Sequence, residues 1–241
     1  MNQLFLTTLT DHYFDCDKNT YHHLFTVHRT RVGESLAIVT TQYRYIITIT
    51  EIEKTKVFYK IIEQVELQLS YPEFVLFQSL PKQDKMTTII DYAVQLGVTE
   101  IYPIVTNRTV VKWDGKKEQK NRERWQVKAE SAACQSKQDR VPHVHELSPL
   151  KHIASLIQSS QCDEVIVFWE EQPTTDTIFK HSKRADISKI GCVIGPEGGL
   201  DQTEIKLLES AGCQIASLGA GVLRVEIASC VALTQLKIQY I

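Results

Sequence analysis

Two glycine-rich turns near the carboxyl end constrain what this chain can fold into more than any other feature. The first reads Val193-Ile194-Gly195-Pro196-Glu197-Gly198-Gly199-Leu200, the second Leu218-Gly219-Ala220-Gly221-Val222-Leu223-Arg224-Val225-Glu226. Each begins in a short apolar run, breaks into glycine and re-enters a helix. Residues 192–194 read as the end of a buried strand. Asp201 then caps a helix, with Glu204 three residues on as in a capping box, and Gly212 closes it. Residues 214–218 read as the next strand, and the second turn leads into a final helix over 224–240. Glycines at strand ends let backbone N–H and C=O groups approach a ligand with no Cβ in the way. A phosphate loop fits poorly, because no Gly-Lys-Ser/Thr follows and Glu197 would repel an anion. Two tight turns in an ordinary α/β domain remain the alternative on the glycines alone.

With 241 residues the chain has material for one large domain or two small ones, and 43% hydrophobic with 23% charged residues is a globular composition. No apolar stretch reaches membrane-spanning length and no basic-then-apolar leader opens the chain, so a cytoplasmic protein with no membrane partner is expected. Cys16, Cys134, Cys162, Cys192, Cys213 and Cys230 are scattered without a Cys-x-x-Cys pair, against a zinc ribbon or a disulfide framework. Cys192, Cys213 and Cys230 lie in apolar contexts and are expected as small core residues. His143-x-His145 puts two imidazoles on one face of a strand, a pattern of surface or hydrogen-bonded histidines more than of metal ligands, and no metal is expected.

Net charge is −2, yet from Arg108 to Arg140 basic residues outnumber acids. Lys112, Lys116, Lys117, Lys120, Arg122, Arg124, Lys128 and Lys137 lie between those two arginines. Local basic excess matters more for phosphate contact than the whole-chain sum, although a solvated helix face gives the same pattern.

Taken in order, residues 1–70 have their own texture. A helical segment over 20–29 precedes stretches 36–40, 45–50 and 57–69, which are rich in β-branched and aromatic residues, and together they read as a small β-barrel. Ser70-Tyr71-Pro72 reads as a junction. From residue 73 the pattern alternates: strand 73–79, helix 85–96 closed by Gly97, strand 99–105, helix 119–135, short strand 144–146, helix 150–159 and strand 165–169. The two glycine-turn strands follow. Strands separated by helices of this length imply a buried parallel sheet, with ligands outside the carboxyl ends of the strands, where both glycine turns fall.

The order Gly-Pro-Glu-Gly-Gly-Leu, then Leu-Gly-x-x-Val-Leu-Arg-x-Glu, closely resembles the SPOUT class of RNA methyltransferases. Within it the chain resembles the RsmE-type family, which methylates N3 of a uridine in 16S ribosomal RNA of the small subunit. Lys85-Met86, Gln95-Leu96-Gly97-Val98, Ile101-x-Pro103, Gln135-Ser136 and Arg140-Val141-Pro142 extend the likeness, which covers the chain from about Phe74 onward and the earlier part more loosely. The resemblance implies an α/β fold: a PUA-like β-barrel RNA-binding domain over 1–70, then a SPOUT domain over 73–241 with a C-terminal trefoil knot. It also implies a homodimer and S-adenosyl-L-methionine as methyl donor, with 16S ribosomal RNA or the small ribosomal subunit as partner.

For that donor, Ile194, Leu218 and Leu223 would supply an apolar slot, and Gly195, Gly198 and Gly219 would let the backbone hydrogen-bond the adenine. Glu197 would meet the cofactor's positive groups or orient its own loop. Uridine N3 is not nucleophilic while it carries its proton, so Arg224 is expected to stabilise the deprotonated base, with Glu226 positioning Arg224 or removing the proton. A salt bridge between the last helix and the sheet is the structural alternative for both. Arg29, Arg31, Lys85, Arg108, Gln135 and Arg140 are expected to contact RNA, His28 and Lys18 share the first module's edge, and Lys82 is a further candidate for which a charged helix start is the favoured alternative. Gly221, Ile227, Cys134 and Gln138 stand where the family usually has arginine, threonine, glutamate and arginine. Those departures keep two further readings open: another RNA substrate, or an RNA-binding homologue of weak activity.

Overall fold

The computed structural model describes residues 1–10, 12–68, 72–111, 115–158, 162–180 and 187–240. The chain divides into two compact units: Met1–Leu69 with Ala133–Val141, and Ser70–Ala132 with Pro142–Ile241. Ser70 and Tyr71 of the expected junction lie outside the described residues.

The first unit contains β1 (Asn2–Phe5), β2 (Tyr13–Asp15), α1 (Lys18–Tyr21), β3 (Ser35–Val39), β4 (Tyr43–Ile52) and β5 (Lys56–Glu66). They form one sheet in the order β1-β3-β4-β5-β2, in which β1 runs parallel to β3 and the other pairs are antiparallel. Leu36 and Ile38, Ile47 and Ile49, Val57 and Tyr59 alternate onto one face and close around Phe14 and Leu24, the period of two expected of strands. Register shifts between Ile46 and Ile47 and between Ile49 and Glu51 let the long β4–β5 hairpin curl.

The expected helix over 20–29 begins earlier and changes type. Asp17 caps it by accepting the Thr20 N–H at 2.7 Å, the α-helix ends at Tyr21, and a π-helical segment His22–Val27 continues it. Arg29, at φ +54°, turns the chain out. β5 stops at Glu66, short of the expected 69. β1 and β2 were not legible, being edge strands too short to show a period. Residues Ala133–Val141 join this unit through polar contacts: Arg44 Nη2 donates to Asp139 at 2.7 Å and to the Lys137 carbonyl at 2.9 Å, and Gln3 Nε2 donates to the Gln138 carbonyl at 2.7 Å.

The second unit runs β6 (Glu73–Ser79), α2 (Lys85–Gln95), β7 (Val98–Val105), α3 (Gly115–Ser136), β8 (His143–Val144), β9 (Ser148–Pro149), α4 (Leu150–Gln158), β10 (Glu164–Phe168), β11 (Lys189–Ile194), α5 (Gln202–Ser210), β12 (Gln214–Ala216) and α6 (Val225–Tyr240). The sheet order is β12-β10-β11-β6-β7-β8, with β9 also on β7, and every pair is parallel. Helices cover both faces, which is why β10 is buried along its whole length. α2 presents Met86, Ile89, Ile90, Ala93 and Val94 on one stripe and packs on α6. Buried Ser229 of α6 donates to Gln78 at the end of β6 at 2.6 Å, pinning the final helix over the sheet. Among the described residues no helix is long and apolar enough to cross a membrane.

Cys192 and Cys213 are buried as expected, whereas Cys230 is only half-buried. The two histidines form a hydrogen-bonded stack. His145 lies 3.7 Å from Tyr102, ring to ring, His143 meets it edge-on, and His145 Nε2 donates to Glu100 at 2.8 Å.

Two outcomes follow from this packing. A Cβ on Gly191 would lie 2.7 Å from Phe77 and 3.3 Å from Val165, so Gly191→Ala should lower unfolding free energy by about 1–3 kcal/mol in urea titration. The Glu100 carboxyl is held down at about 2 by the hydrogen bond from His145, against the opposing effect of burial and with help from Lys189 and Tyr102. Its folded value is depressed, so its stabilisation is complete above the ordinary 4.5 and is lost as pH falls through about 2. The urea-midpoint gap between wild type and Glu100→Gln should therefore be constant above about pH 5 and close toward pH 2.

Candidate functional site

Because all strands of the second unit are parallel, their carboxyl ends open on one edge of the sheet. A cleft of about 200 Å³ lies there, walled by the segments that leave β10, β11 and β12. Phe168, Trp169 and Glu170 come from β10, Ile194 to Glu197 and Gly199 from the first glycine turn, and Ser217 to Gly219 with Gly221 to Leu223 from the second. The chain must turn sharply at each wall. Gly199, Gly219 and Gly221 take φ of +71°, +106° and +92°, conformations that side-chain-bearing residues resist.

The first turn is fixed from behind by the capping box read in the sequence. Asp201 accepts the Thr203 and Glu204 N–H groups at 2.8 and 3.0 Å, while Glu204 accepts the Asp201 N–H at 3.0 Å. The same two carboxylates reach the loop after β7: Glu204 accepts the Asn107 N–H at 2.7 Å, and Asp201 accepts from the Asn107 side chain at 2.8 Å. The donors around Asp201, foremost the Thr203 hydroxyl and the Asn107 amide, hold its carboxyl well below the usual range. Trp169 ties the third wall in, its indole donating to the Leu200 carbonyl at 3.1 Å and its backbone N–H to Ala216 at 3.0 Å.

Glu197 reaches beyond its own turn. Its carboxylate accepts the Lys82 backbone N–H, 3.1 Å from each oxygen, and the Lys85 ammonium at 3.0 Å. Lys85 also lies 3.6 Å from Glu226 in the first turn of α6. One ammonium thus links the β6–α2 connection, the first glycine turn and the start of α6. Burial alone would raise the Glu197 carboxyl, but the Lys85 hydrogen bond, its own backbone N–H and the Lys82 N–H outweigh it and hold it low. Lys85 is raised in turn, first by its bond to Glu197. Glu226 Oε2 is buried and has no closer polar partner among the described residues than the Lys85 ammonium, which lies beyond hydrogen-bond distance.

The residues predicted from sequence are distributed as follows. Ile194, Gly195, Glu197, Leu218, Gly219 and Leu223 line the cleft. Gly198 faces away from it: its carbonyl accepts from Arg108 at 2.7 Å, and the arginine's aliphatic stem packs where a Cβ would point. Arg224 is exposed at the start of α6, its carbonyl accepting the Ile227 and Ala228 N–H groups. Its guanidinium has no hydrogen bond or ion pair among the described residues, and the cation beside Glu226 is Lys85 instead. Lys85 and Arg108 belong to this unit, whereas Arg29, Arg31, Gln135 and Arg140 belong to the other. Glu170 and Trp169 were missed, although their place directly after a parallel strand was a usable signal.

Lys85→Met should leave Glu197 and Glu226 without their shared counter-ion. The Glu197 contribution exists above the ordinary 4.5 and disappears as pH falls below it. The variant's urea midpoint is expected below wild type at pH 7, with the gap shrinking toward pH 4.

Comparison with known proteins bears on this cleft. The family described as RNA methyltransferase domain matches residues 68–237, which include all three walls. The ribosomal RNA small subunit methyltransferase E of Bacillus subtilis (strain 168) is 31% identical over 224 residues, 90% of this chain and 87% of that protein. A crystal structure of a hypothetical protein superposes with TM-score 0.85 at 27% identity, covering 98% of each chain. The ribosomal RNA small subunit methyltransferase E of Neisseria gonorrhoeae, crystallised with S-adenosyl methionine, has the same fold, with TM-score 0.84 at 24% identity over 99% of this chain and 97% of that one.

Proposed function

The chain belongs to the RNA methyltransferase family, with the ribosomal RNA small subunit methyltransferase E proteins among its relatives, and we propose that it methylates N3 of a uridine in 16S ribosomal RNA from S-adenosylmethionine. The observation that carries this reading is the glycine-walled cleft at the ends of β10, β11 and β12, with the exposed Arg224, unpaired among the described residues, where α6 begins.

The cleft suits the donor. Phe168, Ile194, Leu218 and Leu223 offer an apolar slot, and the glycines at 195, 199, 219 and 221 bring backbone donors and acceptors to its walls. When bound, S-adenosylmethionine supplies an electrophilic methyl group on a sulfonium. The chain's own task is to present an anionic N3. Losing the N3 proton spreads negative charge onto the flanking carbonyl oxygens, and Arg224 offers a guanidinium to that charge. The amino end of α6 adds its partial positive charge in the same place. Glu226, whose buried Oε2 faces Lys85 at 3.6 Å without a hydrogen bond, is the nearby acceptor for the proton. Lys85 holds Glu226 and Glu197 in register and is a positioning residue on this reading.

RNA beyond the target base would rest on Arg108 and on Arg29, Arg31, Gln135 and Arg140, with the first unit acting as a PUA-like RNA-binding domain. The C-terminal segment is assigned a trefoil knot and the protein a homodimer. Supporting the dimer, Val222, Leu223 and Ile227 expose 87%, 36% and 43% of their surface beside the cleft. Cytoplasmic localisation follows from the substrate.

The test is methyl transfer to small ribosomal subunits that lack the modification. Arg224→Ala should lower kcat by about 10²–10³-fold, the scale of a lost donor to developing charge, while donor Kd stays within about twofold. An unchanged kcat would remove Arg224 from the mechanism. No transfer by wild type to subunits or free ribosomal RNA, with donor bound, would favour the binding-only reading.

A further inference from the structure

The cleft contains two carboxylates in different electrostatic states. Glu197 is neutralised by Lys85 at 3.0 Å. Glu170, in the wall that leaves β10, makes no hydrogen bond or ion pair among the described residues. The backbone on either side of it is not loose. Trp169 is tied to Ala216 of β12 through its N–H and to Leu200 beyond the first glycine turn through its indole.

The Glu170 carboxylate occupies the space that a side chain at position 199 would need, directly against where a Cβ on Gly199 would stand. Gly199 also holds φ at +71°. Glycine at this position therefore makes room for the Glu170 carboxylate at the cleft wall. Glu170 is exposed at this wall, so its charge stays hydrated until a bound cation covers it.

Resting on the methyl-transfer reading above, we infer that Glu170 is the cleft's cation-recognising residue and selects a positively charged donor over the neutral nucleoside it contains. S-Adenosylmethionine carries two positive centres, the sulfonium and the α-ammonium. 5′-Methylthioadenosine has the same adenosine and a methylated sulfur but neither charge. Apolar walls and backbone amides bind the part the two share. Glu170 acts on the part they do not share, and a ligand seated in the cleft would shield the pair from solvent and strengthen its attraction.

Calorimetric titration of the full chain with both ligands tests this. Glu170→Gln keeps size and hydrogen-bonding capacity while removing charge. S-Adenosylmethionine should bind it about tenfold or more weakly, with 5′-methylthioadenosine unchanged. Glu170→Asp should recover part of the loss. The neutral ligand reports whether either variant keeps a folded cleft. Unchanged S-adenosylmethionine affinity in Glu170→Gln overturns the inference, as does an equal loss for both ligands, which would make Glu170 a structural strut. In either case methyl transfer by wild type would leave the functional reading intact. Failure of wild type to bind S-adenosylmethionine overturns both.

Discussion

The parallel pairing of β12, β10, β11 and β6 is the constraint from which the rest follows. Parallel strands send every carboxyl end to the same edge, and each chain segment leaving that edge must turn before its helix can cover the sheet. Three such segments leave adjacent strands here and wall one cleft. Their turns are held by tertiary bonds: the Asp201–Glu204 box reaches back to Asn107, Trp169 bridges to Leu200 and Ala216, and Ser229 seats α6 on Gln78. The cleft is therefore part of the folded framework, which is what a site needs if its groups are to meet charge without reorganising.

Charge in the site is organised by proximity. Lys85 lies within 4 Å of both Glu197 and Glu226, so one cation keeps two acids together where two glycine turns meet the final helix. Each side chain is partly exposed, so the worth of these pairs lies more in geometry than in stability. Among the described residues nothing pairs with the Arg224 guanidinium at the entrance to α6. A cation already neutralised by a carboxylate would have less to offer a uridine anion.

The fold was legible where local chemistry repeats. The capping box at Asp201, the break at Gly212, the amphipathic stripe of α2 and the alternation of apolar runs with helices are all present at or near the positions read from sequence. The short strands β1, β2 and β9 were not, because two to four residues carry no period and their pairing is decided by distant partners. The same division holds in the site. Glycine turns announce a backbone-lined cleft, so Ile194, Gly195, Leu218, Gly219 and Leu223 fall on its wall. That Gly198 turns toward Arg108, that Glu226 pairs with Lys85, and that Glu170 fills the space at Gly199 are facts of tertiary contact between residues far apart in the chain. No local pattern encodes them.

The central claim is that the glycine-walled cleft is the methyl-donor site, and amide hydrogen exchange with and without S-adenosylmethionine tests it most directly. The account predicts slowed exchange in residues 194–200 and 217–224 and after β10 at Trp169 and Glu170, with the sheet core and the first unit little changed. Protection confined to some other part of the chain, or none at a donor concentration that saturates binding, would contradict it.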